Sequence, residues 1–371
     1  MGMVLTRLQL NSFRNYETLD LELEPGVSVF SGDNGQGKTN ILEAVCYLGL
    51  LRSFRTSRID LLKMRGGRNG FAVEGELRGA DGASQRLSAV HAEKRRLAVD
   101  GLGVERAGEF INRFICVPFV LEDVEMIAGP AAERRRFLDI CLCQEAPLYL
   151  AYLQRYLAAL RQRNAVLREA LRYGPSVLKA YDDLLVENGV PLLFMRQAFT
   201  ERLNLQLERF SGMFFHDGRK LRARYASTLG KALDGETEPV VKSRFRELLA
   251  AGFAKDAEDG QTRTGPHRDE LILHLGDRPL VAYASAGEQR IAALALRLAS
   301  LEVLQRDVAD GRSIVLLLDD VFGELDGFRR GDFFRALAYD QILVACTATP
   351  PELKGRCHEY FVSNGHCSRL N

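Results

Sequence analysis

No stretch of this 371-residue sequence approaches the roughly 20 uninterrupted apolar residues of a membrane-spanning helix, so no membrane partner is expected. There is no excess of either charge. The 50 basic residues stand against 49 acidic ones, so net charge neither favours nor opposes a nucleic-acid partner, and only local clustering can. No internal repeat and no low-complexity tract is visible, which sets solenoids and arrays aside. The start, Met1-Gly2-Met3-Val4-Leu5-Thr6-Arg7, lacks a charged segment followed by a long apolar core, so no signal peptide is expected. Cysteine is sparse. The seven present, an odd number scattered through apolar segments, read as reduced thiols of a cytoplasmic protein. Cys357-His358 and His366-Cys367 carry zinc-type ligands, but their spacing matches no zinc-finger template. Tyr360-Phe361-Val362 followed by Asn364-Gly365 reads instead as a strand and a hairpin turn. The length is too great for one hydrophobic core and suits two or three domains.

What the chain does have is Gly32-Asp33-Asn34-Gly35-Gln36-Gly37-Lys38-Thr39, which fits the phosphate-loop template G-x-x-x-x-G-K-[ST] at every fixed position. Val27–Phe30 reads as a short strand before it and Asn40–Leu48 as a helix after it. The glycines let successive backbone N–H groups turn towards phosphate oxygens, and the helix N-terminus adds partial positive charge. Lys38 is expected to reach the β- and γ-phosphates, and the Thr39 hydroxyl to bind Mg²⁺.

Far downstream, Ile314-Val315-Leu316-Leu317-Leu318 is an all-apolar run that ends in Asp319-Asp320, the pattern of a buried parallel strand. Ligands bind at the carboxyl ends of such strands, so the two carboxylates are placed to hold Mg²⁺ and to polarise a water. Roughly 280 residues separate them from the phosphate loop, far more than the ~30 of one βαβ unit, so a folded insert is expected. Helical periodicity over Leu148–Leu171, Val177–Leu185 and Leu192–Phe210 fills the interval, whereas Phe71–Leu77 and Gln85–His91 read as strands joined at Gly79-Ala80-Asp81-Gly82. The expected fold is α/β: a head of residues 1–120 and 258–371 built from both chain ends, with a mainly helical insert over 121–257. Just ahead of the acidic strand, Ser285-Ala286-Gly287-Glu288-Gln289-Arg290 opens another helix. Ser285 and Glu288 fit a capping box there, and Ser285 with the Gly287 backbone can form a second anion site.

Phosphate loop, S-x-G-E-Q helix, acid-tipped strand and the following Glu324-Leu325-Asp326 together resemble an ABC-type, SMC-like ATPase head, and in particular the RecF family. Further matching text includes Asn11-Ser12-Phe13-Arg14-Asn15-Tyr16, Arg52-Ser53-Phe54-Arg55-Thr56-Ser57, Gln162-Arg163-Asn164 and Thr264-Gly265-Pro266-His267-Arg268-Asp269. The resemblance implies ATP and Mg²⁺ as cofactors and a head-to-tail homodimer formed on ATP. In it, Ser285 and Gly287 of one copy meet the γ-phosphate held by Lys38 of the other. It implies Asp319 as a metal ligand, Asp320 as the hydrolytic base, Arg14 near phosphate, Asp326 as a sensor across the dimer and Thr347 at the switch position. Asp320 stands where transporter heads carry Glu, which suggests slow turnover: a weak, DNA-dependent ATPase used as a binding switch. The resemblance also implies binding to duplex DNA and gap junctions, work with RecO and RecR, RecA loading at gaps and a part in the SOS response. Basic clusters at Arg52, Arg55 and Arg58, at Lys94, Arg95 and Arg96, and along Arg155, Arg161, Arg163, Arg168 and Arg172 are the candidate DNA contacts. Glu288 departs from the glutamine common at its position and adds negative charge near phosphate. A transporter subunit and a long coiled-coil protein are the rival readings. The first is disfavoured by the missing switch histidine, the second by Gly174-Pro175 and the lack of sustained heptads.

Overall fold

The structure, a computed structural model, describes residues 3–66, 70–79, 81–111, 113–230, 235–307, 312–321, 331, 333 and 339–370. For 168, 170–173, 306 and 307 it describes the backbone alone. It divides into two compact units, one from both chain ends, Met1–Asp123 with Gln305–Asn371, and one from the middle, Val124–Leu304.

The unit from the chain ends holds two six-stranded sheets. One runs in the order His366–Arg369, His358–Ser363, Gly26–Ser31, Gln341–Ala345, Ile314–Asp319, Ile115–Phe119, and every pair in it is parallel except the terminal hairpin. Its strands come from three separate stretches of sequence, and those at the centre are buried on both faces. This is why they read as continuous apolar runs rather than alternating ones. The second sheet is an antiparallel meander: Tyr16–Glu22, Val4–Phe13, Phe71–Arg78, Ser84–His91, Arg95–Val99, Leu102–Val104. Its strand Phe71–Arg78 alternates buried and part-exposed positions, the signature of a sheet covered on one face. The helix Lys38–Leu50 touches strands of both sheets and is buried at nearly every position, so its apolar residues encircle it instead of forming a stripe. It ends at Leu51, which is left-handed and returns its N–H to the Tyr47 carbonyl.

The middle unit is mainly helical, but it also carries a three-stranded sheet, Arg278–Pro279, Glu270–Leu275, Leu221–Ala226. That sheet moves the expected second boundary. Glu270–Leu275 pairs residue by residue with Leu221–Ala226, so the stretch from 258 to Leu304, read from sequence as head, clusters with the insert. The two long helices, Pro147–Tyr173 and Lys179–Phe214, pack on each other. At 1.5 Å per residue they reach roughly 40 and 54 Å, well short of a coiled-coil arm. Pro191 sits inside the second.

Two arginines are buried between these helices. Arg163, fully buried, donates to Asp182 (2.6 Å), Asp256 (2.8 Å) and the Thr262 hydroxyl (2.8 Å). It therefore leaves the expected basic stripe, because the two carboxylates draw it inward; Arg155 and Arg161 stay exposed, and the side chains of Arg168 and Arg172 lie outside the described residues. Arg196 donates to Tyr149, Asp139 and the Pro266 carbonyl. His267 bridges the Tyr156 hydroxyl and the Thr262 carbonyl, and burial lowers its pKa to about 4.

Candidate nucleotide site

The phosphate-loop strand and the acidic strand are not neighbours; Gln341–Ala345 lies between them. Register places Phe30 opposite Ala345 and Ala345 opposite Asp319, so all three strands end on one row. The helix that follows the loop therefore starts beside the tip of the acidic strand. The Thr39 hydroxyl donates to Asp319 Oδ1 at 2.7 Å across 280 positions of sequence.

Inside the loop, Asp33, Asn34 and Gly35 are exposed, while Gly32, Gly37 and Lys38 are buried. Gly32 and Gly37 have φ of 140° and 120°, which side chains rarely adopt. A Cβ at Gly32 would also lie 2.3 Å from the Val362 carbonyl, and one at Gly37 would lie 2.6 Å from Asn15 Nδ2. The Lys38 ammonium, on a residue only 5% exposed, donates to the Gly32 and Asp33 carbonyls at 2.7 Å each. Among the described residues it has no carboxylate partner, and a buried cation faced only by neutral carbonyls fits an anion.

The acidic strand has the converse electrostatics. Burial above all, with the neighbouring Asp320 and Glu122, raises the Asp319 pKa to about 6 against the Thr39 hydrogen bond. A divalent cation would relieve that crowding. Among the described residues no cluster of three His, Cys, Asp or Glu makes a metal site alone, but Mg²⁺ on a phosphate needs only one or two protein ligands. Asp320 is exposed, left-handed (φ 51°), and held by its N–H to the Ala345 carbonyl at 3.1 Å.

The structure adds braces that the sequence reading missed. Asn15 donates to the Gln36 carbonyl (2.9 Å) and accepts from Asn40 (2.8 Å), and the Tyr16 hydroxyl donates to the Gly37 carbonyl (3.2 Å). The terminal hairpin closes on the loop as well, through Asn364 N–H to Gln36 Oε1 at 2.7 Å. In this hairpin His358–Ser363 pairs with His366–Arg369 around Asn364-Gly365, as its turn residues suggest. Arg14, expected near phosphate, clasps Glu43 of the loop helix through Nε (2.7 Å) and Nη2 (2.6 Å), and gives Nη1 to the Leu61 carbonyl. Glu43 is fully buried and also accepts from Ser53. Its one hint in the sequence is an acid inside the apolar run Ile41-Leu42-Glu43-Ala44. Arg55 reaches Asn40, one residue past the loop. Thr347 gives its carbonyl to the Gly32 N–H at 3.4 Å, and Asp326 lies outside the described residues.

Ser285 and Gly287 belong to the middle unit, at the start of the helix Ala286–Asp307. The capping box is formed. Glu288 Oε2 accepts the Ser285 N–H and hydroxyl, each at 2.8 Å, and the Glu288 N–H points back to Ser285 Oγ at 3.3 Å. Ser285 and Gly287 are exposed, and among the described residues nothing lies within 4 Å of where a Gly287 Cβ would be.

A phosphate loop and an acid-tipped strand, set either side of a third parallel strand, are the arrangement of an SMC-like, ABC-type ATPase head. A family model described as "RecF/RecN/SMC N terminal domain" matches residues 4–349. The DNA replication and repair protein RecF of Acidothermus cellulolyticus is 37% identical over 374 residues, covering 98% of this chain and 99% of that protein. RecF of Symbiobacterium thermophilum is 34% identical over 347 residues, with coverage of 93% and 92%. A solved structure described as the recombination mediator protein RecF-ATP in the RecFOR pathway matches with a TM-score of 0.91 at 27% identity, covering 100% and 98% of the two chains. An SMC head bound to a winged-helix domain of ScpA, at a TM-score of 0.52 and 14% identity, shares the fold alone. The chain belongs to the RecF family of DNA replication and repair proteins.

Proposed function

We propose that the chain is an ATP-dependent DNA-binding clamp of recombinational repair, which dimerises head to tail on ATP and hydrolyses it slowly as a switch. The observation that carries this reading is the meeting of Thr39 and Asp319 beside a buried Lys38 that, among the described residues, has no acidic partner. In it, Lys38 and the loop N–H groups bind the ATP phosphates. Thr39 and Asp319 hold Mg²⁺, which neutralises phosphate charge when bound. Asp320, exposed at the strand tip, takes the proton of the attacking water. Gly287 supports the second half of the site: among the described residues nothing lies within 4 Å of where its Cβ would be, which leaves room for a group approaching from a second copy. DNA as partner is supported by kinship with DNA replication and repair proteins and by the exposed arginines 52, 55 and 58. Duplex DNA and gap junctions, RecO and RecR as co-workers, RecA loading at gaps and a part in the SOS response complete the reading. So does a cytoplasmic place, in keeping with seven free cysteines and no helix among the described residues long and apolar enough to cross a membrane.

The test is a pair of variants. Lys38→Ala removes ATP-dependent dimerisation and stable DNA binding together. Asp320→Asn keeps both and slows hydrolysis, trapping the DNA-bound dimer. Asparagine tolerates the left-handed backbone at 320, so the effect reports chemistry rather than misfolding. Wild-type hydrolysis by Asp320→Asn refutes the assigned base.

A further inference from the structure

Glu288 puts a carboxylate at the start of the S-x-G-E-Q helix Ala286–Asp307, on the face that the reading above brings to a phosphate. Its two oxygens have different partners. Oε2 takes the Ser285 N–H and hydroxyl, while Oε1 accepts from Arg219 Nη2 at 2.5 Å. Arg219 lies 69 positions earlier, in the turn before the strand Leu221–Ala226, and is itself aimed by Asp217. Its backbone N–H donates to Asp217 Oδ1 (3.0 Å) and its Nε to Asp217 Oδ2 (2.7 Å). The neighbouring cations are turned elsewhere: Lys220 pairs with Glu208, and Arg278 lies over the Tyr283 ring. Among the described residues Arg219 is the cation paired with Glu288. The Ser285 hydrogen bonds and Arg219 hold the Glu288 carboxyl below its ordinary range, which keeps it charged.

We infer that Arg219 is a positioning residue of the S-x-G-E-Q segment: it offsets the Glu288 charge and holds that carboxylate where its other oxygen caps Ser285. The inference rests on the proposed trans contact of Ser285 and Gly287 with phosphate. Without Arg219, Glu288 keeps its charge and gains freedom to swing towards the bound phosphate, where like charges repel. A head-to-tail dimer makes the contact twice, so the per-site effect enters the dimer constant squared. About tenfold per site becomes about a hundredfold in the dissociation constant.

The experiment is sedimentation velocity of the full chain in Mg²⁺ with ATPγS, on wild type, Arg219→Ala, Glu288→Gln and the double variant, with thermal melts as a check of folding. Arg219 is 45% exposed at its side chain, so its loss leaves the core intact. The inference expects Arg219→Ala to weaken dimerisation about a hundredfold, and the double variant to return within about threefold of Glu288→Gln alone. It is overturned if Arg219→Ala dimerises like wild type, or if the double variant stays as weak as Arg219→Ala. If wild type itself stays monomeric with ATPγS, the reading beneath fails and takes the inference with it.

Discussion

Glu43→Gln isolates the energetics of the loop helix with almost no change of shape. Glu43 is fully buried and accepts three hydrogen bonds, two from Arg14 and one from Ser53. Glutamine keeps the volume but loses the charge, and its amide turns donors towards Arg14 or Ser53, which are donors themselves. Breaking a buried pair by neutralising one partner costs about 3–5 kcal/mol. The Arg14 side chain is 20% exposed and retains the Leu61 carbonyl, so water can reach its guanidinium and about 3 kcal/mol is the better expectation. For a unit of roughly 190 residues that lowers Tm by about 6–12 °C. With no tryptophan in the chain, calorimetry is the assay, and the transition that ATP shifts upward identifies the head. A fall of under 2 °C would refute the claim that Glu43–Arg14 anchors the loop helix. Removing both charges, as Glu43→Leu with Arg14→Met, should recover most of the loss, because no uncompensated charge is left inside.

Two further outcomes are expected. Gly287→Ala should leave the monomer as stable or up to about 1 kcal/mol more so, while weakening ATP-dependent dimerisation in the same preparation; equal dimerisation would remove the case for a close approach at 287. His267, lowered to about 4 by burial, takes up a proton when unfolded below its ordinary 6.5 but not when folded. Its contribution to the middle unit, about 3 kcal/mol at most, is therefore present above 6.5 and lost as pH falls towards 4; His267→Gln should flatten the Tm profile over that window.

What could be read in the sequence was local. The phosphate loop and the acid-tipped strand announce themselves because glycine spacing and an unbroken apolar run are properties of a few adjacent residues. Even the capping box of Ser285 and Glu288 is contained in four. What could not be read depends on partners far apart. Asn15 bracing Gln36, and Arg14 clasping the buried Glu43, exist because the meander brings residue 14 to a helix that starts at 38. The second boundary was misplaced because nothing in Glu270–Leu275 says that its partner is Leu221–Ala226. Arg163 looked like part of a solvated stripe because Asp182 and Asp256, which bury it, lie 19 and 93 positions away.

The central claim is that nucleotide state gates DNA binding, and the most direct measurement is fluorescence anisotropy of a gapped duplex titrated with protein in ATP-Mg²⁺ and again in ADP-Mg²⁺, at one fixed salt concentration. Tight binding in ATP that weakens markedly in ADP is expected, with Lys38→Ala behaving in ATP as wild type does in ADP. Equal binding in both nucleotides, or none in either, would contradict it.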